Sequence, residues 1–200
     1  MLLHNTQIMK SKFIFFLSLF LIFSIINAQQ SSIDLKKSSI HWIGEKLTGQ
    51  HDGNISISSG VLNLKNNQIV SGEFTIDMTS ITCTDIDNPQ SNKKFIDHLK
   101  SDDFFGVNLF PEAQLIIKKS TAIDEKNSKI DASLTIKNIT HPISFIVKKS
   151  DNYFSSDIVV DRSKYNVRYR SNSFFENLGD KVIYDEFKLN VRIFLKPTKG

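Results

Sequence analysis

Five histidines and one cysteine are the side chains of this sequence best suited to bind a metal or act as a nucleophile. A protein metal site usually draws ligands from a short fixed spacing such as HxH or HExxH. His41, His51, His98 and His141 stand far apart and show no such spacing. The sequence therefore predicts no metal site and no cofactor. His51, between two glycines, is predicted to satisfy the backbone of a turn, while His98 lies either on the surface or at a hydrogen-bonded position near the end of the fold.

The sequence also contains no motif that would support covalent or acid–base catalysis. Cys83 has no sequence feature that would stabilise a thiolate, and no serine lies in a nucleophile elbow. Asp102 and Asp103 are adjacent and suit the capping of a helix. Asp161 and Arg162 at the end of a strand are interpreted as structural ion-pairing residues with partners across the barrel end; contact to a ligand head group is the alternative. We predict no catalytic residue.

The charge pattern argues against nucleic acid as a partner. The net charge is +4 at pH 7, and basic pairs such as Lys36–Lys37, Lys118–Lys119 and Lys148–Lys149 are scattered along the chain. A surface that follows a phosphate backbone needs its basic residues gathered on one face.

The N-terminal segment predicts a targeting signal. Lys10 and Lys12 precede the apolar run 13–26, and Ala28 offers a small residue for cleavage. We expect a signal peptide over residues 1–28, beginning at Met1 or Met9, and a barrel domain over residues 29–200. This predicts a periplasmic or secreted protein without a stable membrane span after cleavage; an uncleaved anchor is the alternative. The single cysteine excludes an internal disulfide.

The rest of the chain is dominated by residues that alternate between apolar and polar. Val70 to Met78 and Phe187 to Leu195 are the clearest examples, and each predicts a half-buried antiparallel strand. About eight such strands follow one another, most of them joined by short polar turns, among them Gly49–Gly53 and Asn138–Pro142. Eight antiparallel strands can close into a barrel whose interior holds one small ligand. The sequence thus predicts an all-β, eight-stranded antiparallel barrel.

One long segment, 91–113, interrupts the strands. Phe95, Ile96 and Leu99 have the spacing of one apolar face on a short helix, for which Ser91 is the predicted N-cap. A further helical turn is expected over 101–106. The aromatic residues that follow the helix either plug the end of a packed barrel or cover the mouth of a cavity. They are Phe104, Phe105 and Phe110.

Six motifs in order resemble the YceI family, and together they cover nearly the whole chain after the N-terminal segment. They are Trp42 followed by Gly49–Gly53, then Gly72–Met78, His98–Phe105, Phe110–Ala113, Leu134–Pro142 and Asp161–Val167. Asn138 and Asn166 stand where such proteins often carry glycine, and asparagine tolerates the same backbone. The resemblance implies a lipocalin-like barrel, secreted to the bacterial periplasm, that encloses a polyisoprenoid or similar apolar chain and is not known as an enzyme.

The function expected from these observations is non-covalent transport or sequestration of a long-chain apolar lipid of polyisoprenoid, fatty amide or fatty acid type. Alternatives are a filled structural or stress-response barrel that acts through protein partners, and an envelope enzyme or redox accessory protein. The sequence leaves open whether the protein forms a homodimer. The predicted ligand contacts are the inward-facing residues of the strands and of the helical connection. They are Trp42, Phe74, Ile76, Met78, Leu99, Phe104, Phe105, Phe110, Leu134, Ile136, Phe145, Val147, Ile158, Val160, Phe187, Leu189, Val191 and Ile193.

Overall fold

A computed structural model describes residues 29–197, and within them one antiparallel sheet contains nine strands. The predicted signal segment lies outside these residues. The strands are β1 (Gln29–Ser32), β2 (Ser39–Lys46), β3 (Gly49–Lys65), β4 (Gln68–Asp77), β5 (Glu112–Ala122), β6 (Asn127–Ile136), β7 (Ile139–Lys149), β8 (Tyr153–Asp161) and β9 (Ile183–Phe194). The helix α1 (Pro89–Lys100) and the 3-10 turns Met78–Ser80, Arg162–Tyr165 and Gly179–Lys181 complete the described elements.

Eight of these strands close into a barrel. From β2 to β9 each strand pairs with the next along the chain, and β9 pairs with β2 to complete the ring. The closing pair places Ile40 opposite Val191. The predicted eight-stranded antiparallel barrel with a short helical connection is therefore confirmed.

The strand β1 is an addition that the sequence did not predict. It pairs with the second half of β3, and Ile33 just after it forms a bridge to Leu195 beyond β9. It therefore occupies the space between β3 and β9 where β2 has not yet begun. The segment Gln29–Ser32 contains no apolar residue, so no alternation revealed it.

Two predicted turns are wrong in position. The turn after β2 falls at Leu47 and Thr48, so the segment predicted as a Gly49–Gly53 turn belongs to β3. Gly53 serves close packing instead: a Cβ atom built on it would lie 1.9 Å from the carbonyl oxygen of Thr82. The other turn falls at Lys137 and Asn138, both with positive φ, and the chain then enters β7 at Ile139.

The helix begins earlier than predicted. Asn88, and not Ser91, is the N-cap, and its side-chain oxygen accepts a hydrogen bond of 3.0 Å from the backbone N–H of Ser91. Pro89 occupies the first turn, where a missing N–H costs nothing. Beyond the helix, residues 101–106 form hydrogen-bonded turns rather than a further helix, and Gly106 ends them with a φ of +56°.

The two ends of the barrel differ in their connections. One end carries the β2–β3 and β6–β7 turns and two long segments: the β4–β5 connection, residues 78–111, which contains α1, and the β8–β9 connection, residues 162–182. We call this the helix end. The opposite end carries short turns between β3 and β4, β5 and β6, and β7 and β8.

Candidate ligand-binding cavity

The interior of the barrel holds a cavity of about 210 Å³. Side chains from all eight barrel strands line it, together with residues of the two connections at the helix end. On β9 the lining row runs from Phe187 to Ile193, roughly 20 Å along a strand. The cavity is thus long and narrow.

All but one of the predicted contact residues line this cavity. By element they are Trp42 on β2; Phe74 and Ile76 on β4; Met78, Leu99, Phe104 and Phe105 in the β4–β5 connection; Leu134 and Ile136 on β6; Phe145 and Val147 on β7; Ile158 and Val160 on β8; and Phe187, Leu189, Val191 and Ile193 on β9. Their contact with a ligand stays a prediction.

Phe110 is the exception, since it does not line the cavity. It is half-buried and packs on the outside of the connection, where the Nζ atom of Lys137 lies 6.0 Å from the centre of its ring. The predicted cover of three aromatic residues therefore consists of Phe104 and Phe105, with Phe110 behind them.

The polar atoms of the cavity wall mostly have partners in the protein. The indole N–H of Trp42 donates to the carbonyl of Thr82 at 3.1 Å. The hydroxyl of Ser156 donates to the carbonyl of Ile146 at 2.7 Å. The remaining wall is almost entirely aliphatic and aromatic. Such a wall favours an apolar molecule and offers few groups that could orient a polar one.

Arg162 is the charged residue of the wall, and it is only 3% exposed. Its guanidinium donates to the carbonyls of Val167, Ile183 and Tyr184 at 2.9 to 3.1 Å and pairs with Asp185 at 3.3 Å. Burial lowers the pKa of Arg162, while the carboxylates of Asp185 and Asp161 oppose that effect. The group therefore ties the end of β8 to the start of β9.

Asp161 has a different role from Arg162. Its side chain caps the following 3-10 turn by accepting a 3.0 Å hydrogen bond from the backbone N–H of Ser163. The structural interpretation of Arg162 is supported, with Asp185 as its partner. The residue nevertheless faces the cavity at the helix end, beside the ring of Phe104 at 5.7 Å.

The β4–β5 connection covers the cavity at the helix end. Phe104 is buried and Phe105 half-buried, and the ring of Phe105 meets that of Phe187 at a centroid distance of 6.5 Å. His98 packs edge-on against Phe104 and against Tyr169 of the β8–β9 connection, at 5.2 and 4.5 Å. The two connections thus meet over the end of the barrel through aromatic contacts.

One described residue of the cavity wall is exposed, and it lies at the start of β9. Tyr184 lines the cavity and is 44% exposed. Its neighbour Ile183 pairs with Lys46 at the end of β2, next to the β2–β3 turn. We take this position, between the β2–β3 turn and the start of β9, as the way into the cavity and call it the outlet.

The barrel wall is also weak along one side. β7 and β8 pair through only Lys148–Ser155 and Lys149–Phe154. Towards the helix end the described strand pairs stop, although the Ser156–Ile146 hydrogen bond still spans the gap. Pro142 lies within β7 along this stretch; a proline is tolerated in a strand where its nitrogen faces an unpaired edge. We call this stretch the seam.

A family model describing the YceI-like domain matches residues 31–195 of the chain. The chain belongs to the YceI-like family. Solved structures agree with its fold: BcnA of Burkholderia cenocepacia has a TM-score of 0.66 at 18% identity, with 80% of this chain and 98% of that chain covered. A polyisoprenoid binding domain from Saccharophagus degradans has a TM-score of 0.58 at 15% identity, with 84% and 98% covered. No curated protein matches the chain.

Sequence reasoning missed part of the wall of this YceI-like barrel. Ile40, Ile143 and Phe154 continue the alternating rows of Trp42, Phe145 and Ile158, and the period of two would have found them. Other missed residues lie on β3 and β5, where no contact was predicted: Ile55, Ile57, Leu62, Ala113, Leu115 and Ile117. Ile69 is out of phase with Phe74, because Asn63 pairs with Ser71 but Leu64 pairs with Ile69. Ile81 lies in the β4–β5 connection, where no periodicity applies, and Ile183 and Tyr184 are the first two residues of β9.

A second polar cluster lies outside the cavity, where the β4–β5 connection meets β3. The carboxylate of Asp85 accepts hydrogen bonds from the backbone N–H of Asp52 at 3.1 Å and from the thiol of Cys83 at 3.1 Å. His51 Nδ1 lies 2.8 Å from its other oxygen. His51 therefore binds a carboxylate from within a strand, and not the backbone of a turn as predicted.

This cluster fastens the connection and does not form a nucleophilic site. Burial raises the pKa of Cys83, and the nearby Asp85 adds to that effect, so the thiol stays protonated. Across residues 29–197, no three His, Cys, Asp or Glu side chains lie where they could hold a metal ion. In the same part of the chain, no helix has the length and apolar character needed to span a membrane.

Proposed function

We propose that this protein is exported and carries or sequesters a long-chain apolar lipid, of polyisoprenoid or fatty-acyl type, inside its barrel without catalysing a reaction. The observation that carries the proposal is the long cavity with an almost wholly apolar wall. A barrel filled by its own side chains, as in the structural alternative, would leave no such space.

The affinity would come from burial of the chain and not from polar contacts. Each buried methylene contributes about 0.8 kcal/mol, so ten of them contribute about 8 kcal/mol before the cost of ordering the ligand. Without that cost the sum would correspond to a Kd of about 1 µM, so ten methylenes give a Kd weaker than this value. The cavity lies within one chain, so binding requires no second subunit.

The polar end of such a lipid would sit at the outlet. Tyr184 is the wall residue that reaches solvent there, and the donors of Arg162 already serve the protein. We therefore expect strong selection for an apolar chain and weak selection among head groups. Export is supported by the basic and apolar segment before Gln29, the residue at which β1 begins.

The experiment places a large side chain inside the cavity and compares it with the same substitution at an exposed position. Ala113 is buried in the wall near one end of β5, and Ala122 is exposed at the other end of the same strand. We expect Ala113→Trp to weaken binding of a fluorescent polyprenyl analogue by at least about tenfold, because an indole would occupy space that the chain needs. The matched control Ala122→Trp should bind as the wild type does.

Two further measurements accompany the titration. Circular dichroism and the midpoint of thermal unfolding identify a variant that has lost its fold, and native mass spectrometry detects an apolar mass carried by the wild type. If folded Ala113→Trp binds the analogue as tightly as the wild type, the ligand does not occupy the cavity and the proposal is wrong.

A further inference from the structure

Exposed apolar side chains are concentrated at the helix end of the barrel. Among the described residues, the large hydrophobic side chains exposed at that end are Leu47, Leu109, Phe174, Phe175 and Tyr184. The remaining ones are dispersed: Leu35 and Ile123 lie at the opposite end, and Val70, Ile146 and Val159 lie on strands.

A hydrogen-bonded turn holds two of these residues, Phe174 and Phe175, exposed to solvent. Ser171 is fully buried, and its carbonyl accepts hydrogen bonds from the N–H groups of Phe174 and Phe175 at 3.1 and 3.0 Å. Its hydroxyl accepts from the N–H of Ser173, whose own hydroxyl donates to Asp185 at 2.7 Å. Two adjacent phenylalanines thus project from an anchored turn, although burial would be favourable for both.

This turn lies beside the outlet. Asp185, which anchors it, is adjacent to Tyr184, and the N–H of Ile183 donates to the carbonyl of Arg170 at 3.0 Å. The β2–β3 turn with Leu47 adjoins the same position, because Lys46 pairs with Ile183. We call this set the rim: Leu47, Arg168, Arg170, Phe174, Phe175 and Tyr184.

The charge around the rim is positive. Arg168 stacks over the ring of Phe174 with its Cζ atom 4.9 Å from the centroid. The exposed charges of the β8–β9 connection are Lys164, Arg168, Arg170 and Lys181 against Glu176 and Asp180. The β4–β5 connection has the opposite balance, with Lys93, Lys94 and Lys100 against Asp85, Asp87, Asp97, Asp102 and Asp103. The β8–β9 connection thus carries aromatic side chains beside cations. This combination suits the boundary between head groups and acyl chains in an anionic lipid layer.

We infer that the rim docks the outlet onto an anionic lipid surface, so that an apolar chain passes between membrane and cavity without crossing water. The inference rests on the proposed function for its purpose, but the rim residues that the test changes, Arg168, Arg170, Phe174 and Phe175, do not line the cavity. Phenylalanine side chains enter the boundary between head groups and acyl chains, while Arg168 and Arg170 meet the negative surface potential. A protein partner would need a complementary apolar pocket and would show no preference for anionic lipid.

The test is flotation of the purified protein with vesicles of phosphatidylcholine alone or mixed with phosphatidylglycerol. We expect the wild type to bind the mixed vesicles at least about tenfold more tightly, with binding that weakens as salt is added. The double variant Phe174→Ser/Phe175→Ser should lose at least about tenfold of that binding. Arg168→Gln/Arg170→Gln should remove the preference for phosphatidylglycerol.

The matched control is Ile146→Ser/Val159→Ser, which removes two similarly exposed apolar side chains from the strands that border the seam. It should dock as the wild type does. The inference is overturned if the wild type does not bind mixed vesicles, if it binds both kinds equally, or if the control loses as much binding as the rim variant.

Docking and cavity binding are separated by the polyprenyl analogue measured in solution. The rim variant should keep the wild-type Kd for the analogue, because neither phenylalanine lines the cavity. If vesicle docking depends on the rim while the wild type binds no analogue, the proposed function fails and the docking surface stands. If the analogue binds and the rim variant docks normally, the docking surface fails alone.

Discussion

Asp85 and Arg162 show how single polar side chains hold this barrel together. Each lies where a long connection meets a strand, and each satisfies several groups at once. Burial works against the charge of Asp85, but hydrogen bonds from Cys83, Asp52 and His51 outweigh it and lower the pKa to about 2. A carboxyl with a pKa below its unfolded value of 3.8 stabilises the fold above that value.

The first residue-scale prediction follows from that shift. Asp85→Asn should lower the free energy of unfolding at pH 7 by about 1 to 2 kcal/mol, a figure reduced to allow for the partial exposure of the carboxyl. The contribution should be lost as the pH falls from about 4 towards 2, so the wild type and the variant should converge there. Urea denaturation at a series of pH values measures this. A difference that persists unchanged at pH 2 would show that the charge is not responsible.

At the same scale, every contact residue predicted on a strand lines the cavity, whereas Phe110 of the β4–β5 connection does not. A strand fixes alternate side chains on one face, so Leu189 and Val191 could be assigned together. Phe110 could not be assigned, because the direction of a side chain in a connection depends on contacts distant in sequence. Asn138 and Asn166 both have a φ of +59°, as expected for positions that often carry glycine.

At the scale of elements, the β4–β5 connection is held to the barrel at several points. Asp85 fastens its first part, and Lys137 fastens the part after α1 by donating to the carbonyl of Phe104 at 2.9 Å. Leu99 lies between these two points, and it lines the cavity together with Phe104 and Phe105. The connection therefore acts as a tethered cover, and its aromatic residues separate the ligand space from water.

The element-scale prediction compares the two faces of that cover. Phe105→Ala should speed the release of a bound polyprenyl analogue by more than its loss of stability explains, because the side chain contacts the ligand space. The control Phe110→Ala removes a similar ring from the outside and should leave release unchanged. Stopped-flow dissociation and urea denaturation of both variants provide the measurements. Equal release rates in the two variants, with a large stability loss in Phe105→Ala, would show that the β4–β5 connection plugs a packed barrel and does not control release.

At this scale the sequence predicted strands and helix from local pattern but not their exceptions. β1 has no apolar residue, and the seam arises because two strands of the closed ring diverge. The sequence predicted a turn over Asn138–Pro142, whereas Pro142 lies within β7 beside the seam. Only the arrangement of neighbouring strands shows that its edge is unpaired.

For the whole molecule, the fold should require neither a disulfide nor a bound metal. Cys83 is buried as a free thiol, and the histidines of the described chain bind carboxylates or pack on aromatic rings. We expect the midpoint of thermal unfolding to be unaffected by a reductant and by a chelator. Differential scanning calorimetry with and without each reagent measures this. A fall of several degrees with the chelator would reveal a metal that stabilises the fold.

The pairing of β2 with β9 has a consequence for how the chain folds. Glu45 and Lys188, joined at 2.8 Å across that pair, are 143 residues apart in sequence. Contacts of such long range form slowly, and the ring cannot close until the last strand has been synthesised. A growing chain therefore stays open along the β2–β9 edge until β9 has been made. If the protein is exported as proposed, that delay gives an export machinery that threads unfolded polypeptides an interval in which to take it.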